Sequence, residues 1–344
     1  AITLSPIPPV VLEDDMKTQT LSLGLASVGA ILCASTALAQ TPVLNVLTYD
    51  SFTSEWGPGP AIEKAFEAEC ACDLVFTSAG DGAALLARLQ LEGPRTAADV
   101  VLGLDTNLTA AARDTGLFAP HGVTADLTLP VTWDDDTFLP FDWGYLAFVA
   151  NKDTAPVTSF RALADSDLKI VIEDPRSSTP GLGLLMWVHA VYGDEAPQIW
   201  ADLADNIVTV TPGWTEAYNL FLAGEADAVL SYTTSPAYHL IAEDDDTKTS
   251  WAFDEGNYLQ VEVAAKVANT DQPELADQFM AFIAQPGFQD VIPETNWMYP
   301  ATKVSLPAGF DTLTVPSKGL LLSSQDAADV RDALVETWRT ALSQ

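Results

Sequence analysis

The chain has 344 residues, 48% of them apolar, which is enough to bury a large core and predicts two lobes or domains. It carries 15 basic and 48 acidic residues, for a formal net charge of -33. This balance argues against nucleic acid as a partner, because binding the phosphate backbone requires a basic surface. It suits a salt-rich habitat, where an acidic surface keeps a protein soluble, and it is compatible with a cationic ligand.

The N-terminal segment has the pattern of an export signal. Met16 and Lys17 begin a short basic region, a largely apolar stretch follows, and Ala37-Leu38-Ala39 matches a small-x-small cleavage site. We interpret residues 1–15 as an over-extended N-terminus and residues 16–39 as a signal peptide that is cleaved after Ala39. No later run reaches the roughly 18 apolar residues of a membrane span, so we expect a soluble, exported, periplasmic protein.

The chain after residue 40 begins with alternating strands and helices. Apolar runs bounded by turn residues predict strands at 43–49, 73–77 and 99–104. Helices with one apolar face are predicted between them, from Pro60 onwards and over 83–91. This βαβαβ order predicts a parallel sheet with right-handed crossovers.

Two long extended runs, 141–150 and 258–267, flank a second alternation of strands and helices. We interpret these runs as strands that cross from one lobe to the other and back. Between them we predict strands at 169–173, 207–211 and 228–230. The C-terminal part is predicted to be mainly helical, over 273–285, 286–292 and 324–342.

Motifs for catalysis are missing from the sequence. It contains no G-x-S-x-G, H-E-x-x-H, G-x-x-x-x-G-K-[ST] or G-x-G-x-x-G pattern, and its three histidines are scattered. Cys70 and Cys72 form a C-x-C pair that we interpret as a local disulfide or as two inert thiols. Two thiolates with no histidine nearby make a poor metal site, so we expect neither a metal nor a cofactor.

Polar and aromatic residues instead collect at the predicted carboxyl ends of strands, where open α/β sheets bind ligands. Helix N-termini there suit an anion such as phosphate, and Trp and Tyr faces suit a flat cationic heterocycle. Each residue also has a structural alternative: Trp214 and Trp297 could be packing residues, and Gly82 could serve only a turn. The candidate binding residues are Tyr49, Asp50, Trp56, Asp81, Gly82, Ser178, Thr179, Trp214, Tyr232, Thr233, Thr234, Ser235, Pro236 and Trp297.

The chain resembles the periplasmic thiamine-binding proteins, the substrate-binding subunits of thiamine ABC importers. The resemblance covers nearly all of the chain after the signal peptide, and the C-x-C pair also matches the family. The stretches that carry it are 47–52 with 56–60, 98–105, 174–176 with 178–185, 213–218, 230–238, 258–265 and 296–300.

The resemblance implies a type II periplasmic-binding-protein fold, in which two α/β lobes are joined by two crossover strands with a ligand cleft between them. We expect residues 40–142 and 266–344 to form lobe 1 and residues 143–265 to form lobe 2. The implied ligands are thiamine, thiamine monophosphate and thiamine diphosphate, and the implied partner is a membrane permease. The family's contacts carry over onto 81–82, 178–179, Trp214 and 232–236, and Tyr49, Trp56 and Trp297 are expected as aromatic walls. We expect a monomer.

Two other functions are compatible with the same fold. One is a thiamine-degrading enzyme, which would need a cysteine nucleophile in the cleft, whereas Cys70 and Cys72 fall at the end of a helix. The other is a binder of ferric iron or a polyamine. Iron would favour adjacent tyrosines with histidine and carboxylate ligands, and Tyr232 and Tyr238 are not adjacent.

Overall fold

The structure is a computed structural model that describes residues 40–343. The predicted signal peptide, its cleavage site and the predicted over-extended N-terminus lie outside the described residues. No helix in residues 40–343 is long and apolar enough to cross a membrane.

The strands of the described chain form one curved mixed sheet. Its main path has the order β2-β1-β3-β10-β5-β8-β6-β7, with β11 and β9 added to β5, and β12 and β4 added to β10. The strands are β1 Val43–Thr48, β2 Asp73–Ser78, β3 Val100–Asp105, β4 Phe118–Ala119, β5 Leu139–Asn151, β6 Ile170–Glu173, β7 Ile207–Thr211, β8 Ala228–Tyr232, β9 Lys248–Ser250, β10 Asn257–Val267, β11 Tyr299–Pro300 and β12 Gly319–Leu320.

Helices cover both faces of this sheet, which is why a central strand such as β3 is apolar and buried along its whole length. The helices are α1 Asp50–Thr53, α2 Gly59–Cys70, α3 Gly82–Glu92, α4 Thr109–Asp114, α5 Phe160–Ala164, α6 Thr179–Tyr192, α7 Ala196–Leu203, α8 Trp214–Leu222, α9 Pro236–Ala242, α10 Pro273–Ile283, α11 Pro286–Gln289, α12 Ile292–Thr295 and α13 Ser324–Leu342.

The predicted parallel units are confirmed at both ends of the sheet. Strand β1 pairs in parallel with β2 and β3, and β6 pairs in parallel with β7 and β8. Between these two units, β10 and β5 run antiparallel to their neighbours. Strand β5 pairs with β10 from Leu139 to Tyr145 and with β8 from Leu146 to Ala150, so it passes from one half of the sheet into the other.

Two local predictions are wrong. Residues 286–292 were predicted as one helix, but the chain forms α11 and then α12. Pro293 lies in the first turn of α12, where it has no N–H to donate to the carbonyl four residues earlier and its ring clashes with the preceding turn, so one continuous helix cannot run through it. Residues 49–52 were predicted as a turn at the end of the first strand, but they contain most of the short helix α1. Cys70 and Cys72 are joined by a disulfide at the end of α2.

Candidate functional site

A cavity of about 430 Å³ opens at the strand ends where the two halves of the sheet meet. Eight of the predicted residues line it: Tyr49, Trp56, Asp81, Thr179, Trp214, Tyr232, Ser235 and Trp297. Tyr218, Tyr238, Glu262 and Asn296 also line it, although the sequence did not single them out. The lining contains three carboxylates and, among the described residues, no Lys, Arg or His.

One wall of the cavity is aromatic. Trp214 is the first residue of α8, and its indole Nε1 donates to Ser231 Oγ at 2.8 Å. The Tyr218 ring lies one helical turn further on, 5.0 Å from the Trp214 ring and inclined by 30°. Trp56 faces Trp214 at 6.3 Å and is 52% exposed. Because Trp214 is tethered through its ring nitrogen and Trp56 is not, Trp214 is the fixed face.

A second aromatic group lies on the C-terminal loop. Trp297 has a φ of 53°, a left-handed conformation that is uncommon for a large side chain. Its ring meets that of Tyr238 edge to face at 5.5 Å. The backbone N–H of Trp297 donates to the carbonyl oxygen of Ile292, which fixes this turn at the end of α12.

The two halves of the fold touch each other at a point that we call the latch: Asp81, Gly82 and Ala84 on one side, and Ser177, Thr179 and Trp214 on the other. Asp81 caps α3, and its Oδ1 accepts from the Gly82 N–H at 2.8 Å. Its Oδ2 accepts from the Trp214 N–H at 3.0 Å, across the cleft. The Ala84 N–H donates to the Ser177 carbonyl at 3.0 Å. Burial raises the pKa of Asp81, while bonds from Ser178, Gly82 and Trp214 act in the opposite direction.

Gly82 allows this close approach. A Cβ at this position would lie 2.5 Å from Thr179 Cγ2 and 2.8 Å from the Gly103 carbonyl oxygen. Gly103 has a similar role within β3, where a φ of +115° and the missing side chain let the Tyr49 ring lie against the strand.

The bottom of the cavity is a polar cluster that we call the floor: Asp142, Glu262, Tyr49 and Asn296. Asp142 on β5 and Glu262 on β10 are register partners. Asn296 Nδ2 donates to Asp142 Oδ2 at 2.6 Å, and the Tyr49 hydroxyl donates to Glu262 Oε2 at 3.2 Å. Burial raises the pKa of Glu262 well above its usual range, and the neighbouring Asp142 raises it further. Glu262, Tyr49 and Asn296 line the cavity, whereas Asp142 does not.

Six predicted residues do not line the cavity: Asp50, Gly82, Ser178, Thr233, Thr234 and Pro236. Asp50 Oδ1 accepts from the Gly80 N–H at 3.1 Å and so holds the loop that carries Asp81. Ser178 is fully buried and caps α6 through Oγ, which accepts from the Gly181 N–H. A ligand contact by these six residues stays a prediction.

The turn from Tyr232 to Pro236 divides between the cavity and the interior. Tyr232 and Ser235 line the cavity, whereas Thr233 and Thr234 are fully buried. The Ser235 hydroxyl accepts from the Tyr232 N–H and bonds Ser231 Oγ at 2.7 Å. Burial and nearby carboxylates, Glu262 first, raise the pKa of Tyr232 well above its usual range, so its ring faces the cavity as a neutral phenol.

Three side chains behind the aromatic wall, His239, Glu243 and Asp245, are close enough together to hold a metal ion. Each already has a protein partner. His239 Nε2 bonds the Tyr218 hydroxyl at 2.9 Å, and Glu243 accepts from the Tyr238 hydroxyl at 2.8 Å. Asp245 pairs with Lys248 at 3.1 Å. The cluster therefore braces two tyrosines of the cavity.

Comparison with known proteins places this geometry in a family. The model of the bacterial extracellular solute-binding protein family matches residues 59–295. The thiamine-binding periplasmic protein of Escherichia coli (strain K12) is 53% identical over 319 residues, which is 91% of this chain and 97% of that protein. The chain belongs to the periplasmic thiamine-binding protein family.

Further relatives agree with this assignment. The thiamine-binding periplasmic protein of Brucella suis biovar 1 (strain 1330) is 50% identical over 94% of this chain and 99% of its own length. A solved structure described as a periplasmic thiamin binding protein superposes with a TM-score of 0.87 at 53% identity, covering 88% of this chain and 97% of that one. A ferric binding protein from Campylobacter jejuni, at 18% identity and a TM-score of 0.70 over 87% of this chain and 99% of its own, shares the fold alone. The predicted family and the type II periplasmic-binding-protein fold are thus confirmed, whereas the predicted lobe boundaries stay a prediction.

Proposed function

We propose that this protein captures thiamine in its cleft and delivers it to the membrane permease of an ABC importer. The observation that carries the proposal is the 53% identity, over 91% of the chain, with a protein named for binding thiamine in the periplasm. The same likeness supports a periplasmic location, and the small-x-small pattern at 37–39 is the basis for proposing that a signal peptide is removed after Ala39.

The cavity suits a flat organic cation. Trp214, Tyr232 and Trp297 offer aromatic faces, which attract cations through their negative π surfaces. Asp81, Glu262 and Glu294 supply three carboxyl groups, and the described lining residues supply no basic side chain that would repel a cation. The thiazolium ring of thiamine has the matching charge and shape.

The phosphate esters of thiamine belong to the same proposal. Helix α6 has 14 residues, and its first residue, Thr179, lines the cavity. The positive end of the helix dipole favours a phosphate near a helix N-terminus. We therefore include thiamine monophosphate and thiamine diphosphate as ligands, with Thr179 as the nearest hydroxyl.

Delivery would depend on opening and closing of the two lobes. The latch contacts between Asp81 and Trp214, and between Ala84 and Ser177, join the two sides of the cleft, so moving the lobes apart would break them. A ligand that touches both sides favours the closed state by its difference in affinity for the two states. The closed monomer would then dock on the permease.

We further propose that the protein is not an enzyme. A thiamine-degrading relative would need a cysteine nucleophile in the cleft, but both cysteines of the described residues are held in the disulfide at the end of α2. Prolonged incubation with thiamine, followed by chromatography, should recover all of the vitamin. Measurable loss would support the enzyme instead.

Calorimetric titration of the mature protein tests the main proposal. We expect one thiamine per chain and saturable binding of both phosphate esters, whereas ferric citrate and spermidine serve as comparison ligands. Absence of thiamine binding together with tight binding of a comparison ligand would overturn the proposal.

A further inference from the structure

The floor contains two buried carboxylates with too few hydrogen-bond donors. Asp142 is 0% and Glu262 5% exposed. One amide nitrogen, Asn296 Nδ2, serves both, at 2.6 Å from Asp142 Oδ2 and 3.4 Å from Glu262 Oε2. The other oxygen of Asp142 is buried without any partner. Two carboxylates held this closely away from water cannot both ionise cheaply.

In the described chain, the surroundings of the pair offer a third carboxyl and two phenols but no ion-pair partner. On β3, Asp105 is the other register partner of Glu262. Tyr49 and Tyr232 face Glu262 as neutral phenols. Among the described residues, no Lys or Arg forms an ion pair with Asp142 or Glu262. Burial raises the pKa of Asp142 to about 6 and that of Glu262 well above its usual range, which favours a proton on the pair when no ligand is bound.

We propose that Asp142 and Glu262 together recognise the positive charge of the ligand, and that they release a shared proton to solvent when it binds. This inference rests on the proposed function. Before binding, the pair holds one proton and one negative charge. When the cation binds, the proton leaves to the buffer and both carboxyls are ionised. The two carboxylates and the cation then have the same net charge, minus one, as the pair had before binding. No bond other than the O–H bond is broken.

The position of the pair gives this exchange a structural role. Asp142 and Glu262 stand opposite each other on β5 and β10, and β5 is the strand that pairs with both halves of the sheet. Glu262 lines the cavity, and Asp142 lies behind it in contact with Asn296. The ligand's charge is therefore sensed at the site where the two lobes are joined.

The exchange predicts how affinity depends on pH. When one proton is released per ligand, the association constant rises about tenfold per pH unit. This rise continues until the pH passes the pKa of the empty pair, above which affinity levels off. Three other buried carboxyls near the cleft, Asp81, Asp105 and Glu173, also have raised pKa values. A test must separate them from the floor.

The decisive measurement is a proton count on the wild-type protein. Thiamine is titrated calorimetrically at pH 7 in two buffers of different ionisation enthalpy, such as phosphate and Tris. We expect about one proton released per thiamine bound. Tight binding with no proton release would overturn this inference and leave the proposed function intact, whereas no binding at all would overturn the proposed function.

Variants identify the source of the proton. Glu262→Gln and Asp142→Asn should each weaken binding at least tenfold and abolish the release, since either leaves a single carboxyl on the floor. Glu274→Gln, the same change at an exposed position on α10, should leave both quantities unchanged. Glu173→Gln should keep the proton release. If either floor variant still releases the full proton, or if Glu173→Gln abolishes the release, the floor is not its source.

Discussion

The latch and the floor both hold buried carboxylates beside the same cavity, but they satisfy them differently. At the latch, each oxygen of Asp81 accepts a backbone N–H, from Gly82 and from Trp214. At the floor, Asp142 and Glu262 share one amide donor, the Tyr49 hydroxyl donates only to Glu262, and an oxygen of Asp142 has no partner. Because backbone N–H groups cannot move far, the latch contacts form only if the two sides of the cleft fit together closely. Like charges in a dry site repel, so the floor depends on protonation and on the ligand's charge.

This difference predicts which substitutions matter at each place. At the latch, added or removed volume should disturb binding, because the two halves of the fold meet there through backbone and small side chains. Near the floor, a larger side chain should leave binding unchanged if the side chain that it contacts is flexible. Removing the charge of a floor carboxylate should weaken binding. The following variants test that contrast.

Trp214→Ala should have the largest effect, because it removes the fixed aromatic face. We expect thiamine binding to weaken by on the order of 2 kcal/mol or more, or roughly 30-fold, as for other buried aromatic anchors. Trp56→Ala removes a ring that faces Trp214 but is 52% exposed, and should cost clearly less. Calorimetric titration of both variants checks the order, and an equal loss would contradict the assignment of Trp214 as the anchor.

Gly82→Ala should be the next most harmful change. Its new Cβ would meet the Gly103 carbonyl and Thr179 at under 3 Å, and backbone cannot move aside without opening the latch. We expect at least a tenfold loss of affinity. Gly144→Ala on β5 is the matched control beside the floor, since its Cβ would meet only the flexible end of Met298 and, at 3.5 Å, the Tyr232 ring. Unchanged affinity in Gly82→Ala would show that the latch is dispensable.

Glu173 lies near Asp81 but, unlike Asp81, has a carboxyl group without hydrogen-bond partners. The pH dependence of stability therefore tests the comparison between the latch and the floor. It is fully buried at the end of β6, neither carboxylate oxygen has a partner, and burial and the charge of Asp81 raise its pKa. The folded state therefore binds this proton more tightly than the unfolded state. Its contribution to the free energy of unfolding is full below the ordinary glutamate range and falls as the pH rises towards the folded-state pKa.

Glu173→Gln removes this titration. Relative to wild type, the variant should gain stability as the pH rises from 5 to 8, at up to about 1.4 kcal/mol per pH unit within the titration range. Urea unfolding at both pH values measures the difference. Glu274→Gln, on the surface, should show none of this dependence. A stability difference for Glu173→Gln that stays constant with pH would mean that Glu173 titrates normally.

Much of the fold and part of the site could be predicted from the sequence. Strands β1, β3 and β7 and helix α13 follow from hydrophobic periodicity, which is a local signal. Trp214 and Tyr232 were found because a strand end is also a local feature. Whether Ser235 faces the cavity and Thr233 the interior depends on the exact turn, which the sequence does not specify.

The two carboxylates of the floor were missed for a physical reason. Asp142 and Glu262 are far apart in the chain and come together only through the register of β5 with β10. A weaker signal was present, however, because Glu262 interrupts a run that is otherwise predicted as a buried strand. A buried charge is costly unless it has a partner. Such an interruption indicates a functional or paired carboxylate.

The Cys70–Cys72 disulfide should have the smallest effect of all on binding. It lies at the C-terminal end of α2, while Trp56 precedes the N-terminal end. The 12 residues of α2 place about 18 Å between them. The bond closes a very short loop, so it restricts the unfolded chain only slightly. Replacing both cysteines by serine should lower the free energy of unfolding by about 1–2 kcal/mol and leave thiamine affinity unchanged. A tenfold loss of affinity would instead show that α2 transmits strain to the aromatic wall, so that shape sensitivity would extend well beyond the latch.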